Sequence, residues 1–473
     1  MSAQQDENVC GRRPALLPEL DPGFCPAALA NRAFRAAARA TGKAVPTRFA
    51  LEQADGSLFH HRTELLPQGH PQAETNYTHV ERLVKFFLWS RGGFRVYFDG
   101  PRATGEQLQR HFAEDATGKF DADLMGGRIY ERPFEVVLTR DLPPERAATK
   151  PLGRHLEGCR IGFDLGGSDR KVAAVREGAV VFSAETVWDP CTQADPQYHF
   201  DGIMDSLRQA AAHLPRVDAI GGSAAGVYVN NQVKVASLFR GVPPDLFQSR
   251  VKGLFFEVQK AWSGVPLEVV NDGEVTALAG SMSLNCNSVL GVALGTSQAG
   301  GYVTREGNIT SWLNELAFVP VDMAPAAPRD PWSGDLGCGA QYFSQQAVGR
   351  LLAPAGIALP QDMPLPEKLK EVQKLMGDGD PRARKIYETI GLYLGYAVAH
   401  YAEFYDMENV LVLGRVTSGA GGEIILAWAR AVLRVEFPEI AAKVQFHTPS
   451  ENDKRHGQAI AAASLPRIKS QQA

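Results

Sequence analysis

Residues 161–171 read IGFDLGGSDRK, a short apolar run that leads into a glycine-rich loop carrying a hydroxyl and a lysine. Residues 291–301 read GVALGTSQAGG and repeat this design much later in the chain. Apolar residues resume after each loop, so each loop is predicted to join two consecutive strands rather than a strand and a helix. The two loops together predict a duplicated mixed α/β unit with a cleft where a nucleotide's phosphates are held from two sides.

The first loop offers several groups that suit a phosphate. Gly166 and Gly167 have no Cβ, so backbone N–H groups can approach phosphate oxygens closely. Ser168 adds a hydroxyl donor, and Lys171 adds a positive charge. Asp164, at the end of the strand, is a candidate for holding Mg²⁺ directly or through water. The alternative is a tight hairpin whose glycines are needed for positive φ.

The second loop follows the same logic. Gly295, Thr296, Ser297 and Gly300 are its candidate phosphate-binding residues. An ordinary turn between strands is again the alternative interpretation. A second loop of the same character favours the functional interpretation for both loops.

An Asn-Asp pair lies between the two loops, directly after the apolar strand that ends at Val270. A carboxylate at the end of a strand in a cleft can take the proton of an attacking hydroxyl, so Asp272 is the candidate catalytic base. Asn271 is a candidate hydrogen-bond partner of the acceptor. The alternative role for Asp272 is the N-cap of the helix that begins near Glu274, and the two roles can coexist.

Length and a change in residue pattern divide the chain into three parts. A chain of 473 residues exceeds one ordinary core, so two or three domains are expected. Residues 1–157 are predicted to form an N-terminal α+β domain of unknown role that ends in a Pro-, Arg- and Lys-rich linker at 141–154. Residues 158–287, completed by a C-terminal helix within 455–473, are predicted to form a first lobe, and residues 288–454 a second lobe.

Periodicity predicts the elements of each part. Helical spacing marks a helix over 80–88, and alternation marks strands at 94–98 and 136–138. Further strands are predicted at 160–163, 172–175, 179–182, 217–222, 267–270, 288–294, 301–303 and 410–413. Further helices are predicted at 200–213, 274–282, 381–405, 423–435 and 457–465.

Composition excludes several classes of protein. The net charge of −4, and 20 Lys and Arg against 19 Asp and Glu in residues 1–150, leave no basic surface for nucleic acid. No stretch reaches the roughly 20 apolar residues of a membrane span, and the polar start lacks a signal peptide. Six scattered cysteines without a Cys-x-x-Cys favour free thiols in a reducing cytoplasm, so a cytoplasmic protein is expected. A homodimer is the default expectation, because cyclic dimers are the commonest assemblies.

These motifs resemble those of the sugar-kinase branch of the actin, hexokinase and heat-shock-chaperone ATPase superfamily, and in particular the repressor–open reading frame–kinase (ROK) family. The resemblance covers about residues 158–466 and rests on four motifs in order: the two glycine loops, Asn271-Asp272, and an adenosine motif at Gly414 with the turn at 419–422. It implies a two-lobed actin-like, ribonuclease H-like ATPase fold with duplicated mixed sheets, preceded here by the additional N-terminal domain.

The resemblance also implies roles at matching positions. Asp272 would be the catalytic base, Asn271 would contact a sugar hydroxyl, and Asp164 would lie near Mg²⁺. Glu315 falls where the family has a glutamate that contacts the sugar. ATP would be the phosphoryl donor, with Gly414 and Arg415 in the adenosine motif.

The chain departs from the family at several of these positions. Phe318 replaces the histidine of the family's zinc site, and Cys338 is the one cysteine that remains there, so no structural zinc is expected. Ala340 replaces a second sugar-contacting glutamate. Arg415 replaces a glycine of the adenosine motif, and Asp169 places a negative charge beside the first phosphate loop.

The predicted function is therefore an ATP-dependent phosphotransferase, a carbohydrate kinase acting on a hydroxyl of a sugar or related polyol, with Mg²⁺. Two alternatives stay open. One is a ligand-sensing regulator with a kinase-like body, and the other is an ATPase with lost or altered sugar kinase activity. The departures at the acceptor side leave the acceptor itself unnamed.

Overall fold

The computed structural model describes residues 13–147, 151–449 and 451–468. Parts of the predicted N-terminal domain 1–157 and of the C-terminal segment 455–473 therefore lie outside the described residues.

The N-terminal segment builds a four-stranded sheet with helices packed against it. Its strands are β1 (Val45–Glu52), β2 (Leu58–Leu65), β3 (Arg95–Asp99) and β4 (Glu135–Leu138), in the order β2-β1-β3-β4. Strands β3 and β4 run parallel, and the other pairs are antiparallel. Its helices are α1 (Ala27–Ala40), α2 (Thr75–Arg91), α3 (Arg102–Glu114) and α4 (Ala116–Ala122), followed by a π-helical segment, Asp123–Tyr130. The predicted helix over 80–88 and both predicted strands are confirmed.

The first lobe contains a five-stranded mixed sheet. Its strands are β5 (Cys159–Leu165), β6 (Asp169–Arg176), β7 (Ala179–Val187) and β8 (Ala219–Ala224), followed, after a small hairpin of β9 (Val227–Val229) and β10 (Gln232–Val235), by β11 (Leu267–Asn271). The order is β11-β8-β5-β6-β7. Strands β5, β8 and β11 are parallel, so their carboxyl ends meet at one edge of the sheet.

The second lobe repeats this plan with fewer strands. Its strands are β12 (Val289–Leu294), β13 (Gln298–Val303), β14 (Asn409–Leu413) and β15 (Gln445–His447), in the order β13-β12-β14-β15. Each lobe opens with an antiparallel hairpin, β5–β6 or β12–β13, and continues with parallel strands. The glycine loops are the turns of these two hairpins, which confirms the predicted duplication.

Helices connect and cover both sheets. They are α5 (Pro196–Ala211), α6 (Leu254–Ala261), α7 (Asp272–Leu284), α8 (Gln345–Leu351), α9 (Leu365–Gly377), α10 (Pro381–Tyr401), α11 (Ala420–Glu436) and α12 (Glu451–Ala463). Shorter α-helical, 3₁₀ and π segments are Ser237–Phe239, Pro244–Leu246, Phe247–Val251, Leu316–Phe318, Ala340–Phe343, Arg415–Thr417 and Pro438–Ala441. Every helix predicted from the sequence is present, with ends that differ by a few residues.

The C-terminal helix α12 packs directly on the first lobe. A Cβ placed on Gly162 of β5 would lie 1.7 Å from the carbonyl oxygen of Ala459, and one on Gly221 of β8 equally close to that of Ala462. Strand and helix backbones therefore approach each other more closely than any side chain would allow.

The N-terminal segment and the second lobe share one hydrophobic core. The Phe86 ring of α2 stacks on Phe404 with 3.9 Å between centroids. Arg35 of α1 forms a bidentate ion pair with Glu403 at 2.8 Å. The segment is thus an integral extension of this lobe.

Two ion pairs connect the N-terminal segment to the first lobe. The Glu131 carboxylate lies 3.2 Å from the Lys234 ammonium and 2.5 Å from the Lys252 ammonium. Glu131 therefore bridges from the N-terminal segment to the lobe that carries the first glycine loop.

Cysteine chemistry differs in part from the expectation. Cys159, Cys191, Cys286 and Cys338 carry free thiols. Cys25, in contrast, is disulfide-bonded, so the prediction of free thiols is wrong at this position.

None of the helices in the described part of the chain is both long and apolar enough to span a membrane.

Gly162→Ala is expected to lower the free energy of unfolding by about 2–3 kcal/mol, because its Cβ would overlap the Ala459 carbonyl and force helix α12 away. Thermal or urea unfolding followed by circular dichroism measures this. Gly377→Ala at the end of α9 is the control, because a Cβ there meets nothing within 4 Å. Equal stability of the two variants would contradict the described packing of α12.

Candidate functional site

The carboxyl ends of β5, β8 and β11 bring the polar candidates of the first lobe together. Asp164 of β5 lies opposite Ser223 of β8, and Ser223 lies opposite Val270 of β11. Asn271 ends β11, and Asp272 begins α7. Residues from distant parts of the sequence therefore meet at one edge of the sheet.

Asp164 is buried at this edge. The Ser223 hydroxyl donates a 2.6 Å hydrogen bond to its Oδ1. Burial raises the Asp164 pKa to about 6; the Ser223 hydrogen bond opposes this shift, whereas the Asp272 charge adds to it. The charges of Asp164 and Asp272 therefore act on each other at this edge of the sheet.

Asn271 and Asp272 have different positions at the start of helix α7. The N-cap of α7 is Asn271, whose Oδ1 accepts from the Gly273 amide at 2.7 Å and whose Nδ2 donates to the Gly226 carbonyl. The expectation that Asp272 is the N-cap is therefore wrong by one residue. Asp272 is the first residue of the helix, and burial raises its pKa, while the adjacent backbone amides lower it.

The fold does not require a glycine at position 167 of the first loop. Neither Gly166 nor Gly167 has positive φ, so the interpretation as a hairpin that needs left-handed glycines is wrong. The atom nearest to a Cβ on Gly167 would be the Cys191 sulfur at 3.9 Å. The surface above Gly167 is open, as a site approached by a ligand requires.

The Asp169 carboxylate contacts the side chains of Ser168 and Lys171 in this loop. The Ser168 hydroxyl donates to Asp169 Oδ2 at 3.0 Å, and the Lys171 ammonium lies 3.5 Å from Asp169 Oδ1. The Trp188 indole N–H donates to the Gly166 carbonyl at 2.8 Å and fixes the loop. Ser168 and Lys171 are therefore close to each other, with their donors directed to a carboxylate.

The tip of the second loop is similarly accessible. Gly295 has no positive φ, and Thr296 and Ser297 are exposed. The Gly295 carbonyl accepts from the Gln345 amide at 3.0 Å. Gly300 is different, because it is buried in β13, where a Cβ would meet the Asn314 carbonyl at 2.6 Å. Gly300 therefore lies away from the loop tip and serves packing.

The predicted adenosine motif lies beside the second loop. Gly414 has φ of +105°, and a Cβ there would lie 2.4 Å from the carbonyl of Leu294, the last residue of β12. Arg415 is exposed, and its carbonyl accepts from the Gln373 side chain at 2.8 Å.

Helix α7 carries Asp272 to the junction of the two lobes. A Cβ on Gly273 would meet the Gly300 carbonyl of β13 at 2.3 Å, so the start of this first-lobe helix packs on the second-lobe sheet. Asp272 therefore lies where the two lobes meet.

A cavity of about 270 Å³ opens beside Asn271. Both lobes line it, and so does the N-terminal segment through Gln53, Asp55 and Tyr130. The Ser311 hydroxyl lies 3.2 Å from Gln53 Oε1 and 3.1 Å from Asp55 Oδ2, which holds the β1–β2 turn over the cavity. The N-terminal segment thus forms part of its wall.

Two glutamates of this cavity have strongly raised pKa values. Burial raises the pKa of Glu315 to about 7, with a further contribution from the Asp272 charge. Burial raises the pKa of Glu274 to about 8, although the Asn314 side chain donates to its Oε1. Its Oε2 accepts no hydrogen bond of normal geometry from the described residues.

The N-terminal segment positions Glu315 through its backbone. The amides of Leu313, Asn314 and Glu315 donate to the carbonyls of Arg91, Ser90 and Trp89, respectively, at 3.0–3.1 Å. These carbonyls end helix α2 and would otherwise have no partner within the helix. The same three hydrogen bonds therefore cap α2 and fix the chain that carries Glu315.

Aromatic and ionic contacts occupy the region that resembles the family's zinc motif. Phe318 lies 4.2 Å from the Trp89 ring, between centroids. The Lys85 ammonium lies 2.9 Å from Asp121 and 2.7 Å from Asp335. Within residues 13–147, 151–449 and 451–468, no group of three or more His, Cys, Asp or Glu side chains is arranged to hold a metal ion.

The other two positions of that motif are also buried. The Cys338 thiol has its pKa raised to about 12, mainly by burial. Ala340 is buried at the start of a short helix and does not line the cavity. This position therefore offers no side chain to an acceptor.

Sequence reasoning missed the cavity residues outside the recognised motifs. They include Gln53, Asp55, Tyr130, Glu274 and Trp312. Glu274 had a usable signal, because a second acid two residues after Asp272 falls on the same first helical turn. The first three had none, since their contact with the cleft depends on tertiary packing.

Glu274→Gln is expected to stabilise the protein at pH 8 and to have little effect near pH 4.5. The native pKa lies above the ordinary value of 4.5, so the native state binds more protons and wild-type stability falls as pH rises from about 4.5 to about 8. Glutamine keeps the Asn314 hydrogen bond without this penalty. Melting temperatures across that range measure the effect, with exposed Glu367→Gln as control. A difference independent of pH would contradict the raised pKa.

The sequence was compared with models of protein families and with curated protein sequences. The model of the ROK family matches residues 160–426, more than half of the chain. No curated protein sequence matched the chain.

Solved structures share the fold at low identity. A ROK hexokinase from Thermus thermophilus has a TM-score of 0.50 and 18% identity over 65% of this chain and 98% of its own. A ROK family transcriptional regulator, described as a homologue of the E. coli MLC protein, has a TM-score of 0.51 and 19% identity over 66% of this chain and 79% of its own. A ROK family glucokinase from Streptomyces griseus, in complex with glucose and AMPPNP, has a TM-score of 0.49 and 22% identity over 65% and 98%.

The fold is thus the two-lobed, actin-like architecture, extended at its N-terminus by residues that the ROK match does not include. The chain belongs to the ROK family.

Proposed function

We propose that the chain is an ATP-dependent phosphotransferase that acts on a hydroxyl of a sugar or related polyol. One observation carries the proposal: Asp272 begins helix α7 at the same sheet edge as Asp164, directly after Asn271, which lines the cavity together with Glu315. A base between a phosphate site and an acceptor cavity is the arrangement that phosphoryl transfer to an alcohol needs.

The donor side is supported by glycines that the fold does not need. Gly167 and Gly295 have ordinary φ and no atom closer than 3.5 Å to a Cβ position. Exposed backbone and hydroxyl groups at Ser168, Thr296 and Ser297 can then donate to phosphate oxygens. The proposed adenosine motif at Gly414 lies next to the second of these turns.

The residues present also fit a magnesium ion. Asp164 uses Oδ1 for Ser223, and no described residue donates to its Oδ2. A hard oxygen ligand beside the phosphate loop would hold Mg²⁺ directly or through water. When bound, the ion withdraws charge from the phosphates of ATP.

The acceptor hydroxyl would be oriented in the cavity by Asn271 and Glu315. Asp272 accepts the hydroxyl proton as the acceptor oxygen forms its bond to the γ-phosphorus and the bond to the ADP oxygen breaks. Burial raises the Asp272 pKa, which makes the carboxylate a stronger base than an exposed aspartate. The N-terminal wall of the cavity limits water, and so limits hydrolysis of ATP.

A ligand-sensing regulator is a second candidate. The buried Ala340, in place of a family glutamate, and Arg415, in place of a glycine, favour altered catalysis. Binding of a polyol to wild-type protein without any phosphorylated product in the presence of Mg-ATP would select this candidate.

Asp272→Asn is expected to lower kcat by about 100-fold or more, because the amide cannot accept the hydroxyl proton. A coupled assay of ADP release over a panel of sugars and polyols measures this. Asp362→Asn, an exposed change outside the cleft, is the matched control. Full activity of Asp272→Asn would rule out this residue as the base.

Gly167→Val is expected to raise the KM for ATP by about tenfold or more and to leave the melting temperature nearly unchanged. A side chain there meets open space in the folded protein but would occupy the approach of a phosphate. Initial rates at varied ATP, with a parallel thermal melt, separate the two effects. Unchanged KM in a stable variant would contradict a phosphate site at this loop.

A further inference from the structure

The N-terminal segment and the first lobe meet beside the cavity of about 270 Å³. Tyr130, the last residue of the π-helical segment, lines this cavity from the N-terminal side, and Asn230 of the β9–β10 hairpin lines it from the first lobe. Glu131, the residue after Tyr130, forms ion pairs with Lys234 of β10 and with Lys252. An ionic contact between the two bodies therefore adjoins residues that form two walls of the cavity.

The β9–β10 hairpin contacts two hydrophobic cores. Tyr228 packs against the core of the first lobe. Its neighbours in β9, Val227 and Val229, pack against the core that the N-terminal segment shares with the second lobe. Successive residues of a strand point to opposite faces, so the hairpin lies between the two bodies. The two ion pairs thus form at an interface that apolar side chains also occupy.

Two cations converge on the Glu131 carboxylate. The Lys234 side chain is 6% exposed and that of Lys252 is 26% exposed. The two lysines are neighbours, because the Val233 amide donates to the Lys252 carbonyl at 3.2 Å. Loss of the carboxylate would leave two adjacent cations, one of them buried, and both repulsion and desolvation disfavour that state. The Glu131 charge therefore stabilises the contact between the walls.

The backbone holds Glu131 in an uncommon conformation. Its φ is +54°, in the left-handed region that residues with a Cβ rarely adopt. It directly follows the π-helical segment, where the Arg132 amide donates to the Gly126 carbonyl at 2.8 Å. Such conformations persist where the surrounding structure fixes them, and they are frequent at functional sites. Here the uncommon backbone directs a carboxylate to two lysines of the other body.

The same two bodies carry the residues proposed to orient the acceptor. Glu315 belongs to the chain that binds the end of helix α2 in the N-terminal segment, and Asn271 ends β11 of the first lobe. Helix α7 already joins the lobes where Gly273 packs on β13. The Glu131 ion pairs are a second connection, on the side of the cavity that Tyr130 forms.

We propose that Glu131, Lys234 and Lys252 form an interlobe clasp that holds two walls of the cavity together, and that Glu131 is a positioning residue for the acceptor. The identity of the ligand as an acceptor rests on the proposed phosphotransferase function. Glu131 acts through the wall and not on the reacting atoms, so the interlobe clasp contributes to acceptor affinity rather than to the chemical step.

Hydrogen–deuterium exchange tests the interlobe clasp without turnover. In ligand-free, full-length Glu131→Gln, amide exchange in residues 123–131 and 227–235 should rise by about fivefold or more, because the walls separate more often. Glutamine keeps the shape of the side chain and removes its charge. Glu106→Gln on α3 is the matched control, because it removes an exposed ion pair with Arg102 outside the cavity. Unchanged exchange in a folded Glu131→Gln would overturn the interlobe clasp.

An exchange of charges separates an ionic role from a purely structural one. Glu131→Lys alone places a third cation beside the two lysines and should raise amide exchange further. Its combination with Lys252→Glu restores opposite charges and should return amide exchange to within about twofold of the wild type. Added NaCl should raise exchange in the wild type more than in Glu131→Gln, because salt screens partly exposed ion pairs. Absence of recovery in the double variant would overturn the ionic assignment.

Steady-state kinetics tests the positioning role. The probes are glucose, mannose, galactose and myo-inositol with Mg-ATP, and the one that the wild type phosphorylates fastest is the reference acceptor. Glu131→Gln should raise KM for this acceptor by about fivefold or more, while kcat and the KM for ATP change by less than about twofold. The charge-exchanged variant should recover the acceptor KM, and Glu106→Gln should keep it.

The outcomes distinguish the interlobe clasp from the phosphotransferase. Faster amide exchange with a raised acceptor KM would support both. Faster amide exchange with an unchanged acceptor KM, or with a loss confined to kcat, would overturn the positioning role of Glu131. Absence of a phosphorylated product from every probe with the wild type would overturn the phosphotransferase for these acceptors, and the amide exchange of Glu131→Gln would still decide the interlobe clasp.

Discussion

Three backbone hydrogen bonds fix part of the wall of the cavity beside Asn271. The amides of Leu313, Asn314 and Glu315 bind the last carbonyls of helix α2, which belongs to the N-terminal segment. A helix end needs such donors, and a loop needs such acceptors, so each element completes the other. Glu315 and the adjoining Trp312 are held in the cavity wall as a result. The N-terminal segment is therefore part of the site's framework as well as part of its wall.

In this chain, contacts between side chains take the place of the zinc motif that the family resemblance implies for the region around Phe318 and Asp335. Where the family has a zinc motif, Phe318 packs on Trp89, and Lys85 joins Asp121 and Asp335 in a buried ion pair cluster. Trp89, which contacts Phe318, and Lys85, which pairs with Asp335, both belong to α2. The helix thus supplies contacts to a loop that would otherwise lack support. The same packing brings the β1–β2 turn, with Gln53 and Asp55, to the cavity.

The sequence could predict what depends on short stretches of chain. The glycine loops, the strand ends at Asp164 and Asn271, and most elements of the two lobes follow from local pattern, and the structure has them. Local pattern does not choose the N-cap, because both Asn and Asp are good caps, and only the backbone geometry distinguishes Asn271. Gln53, Asp55 and Tyr130 were out of reach, since nothing local reveals which surface a turn will cover. Their role emerges from the core that the N-terminal segment shares with the second lobe.

The most direct test of the account is a crystal structure with a non-hydrolysable ATP analogue and Mg²⁺. The account predicts the triphosphate between the turns at 166–168 and 295–297, the metal beside Asp164, and the adenosine near Gly414. It also predicts that the terminal phosphate faces Asp272 across the entrance of the cavity that Glu274 and Glu315 line. A nucleotide bound elsewhere, with both glycine turns empty, would contradict the central claim that this cleft transfers a phosphoryl group.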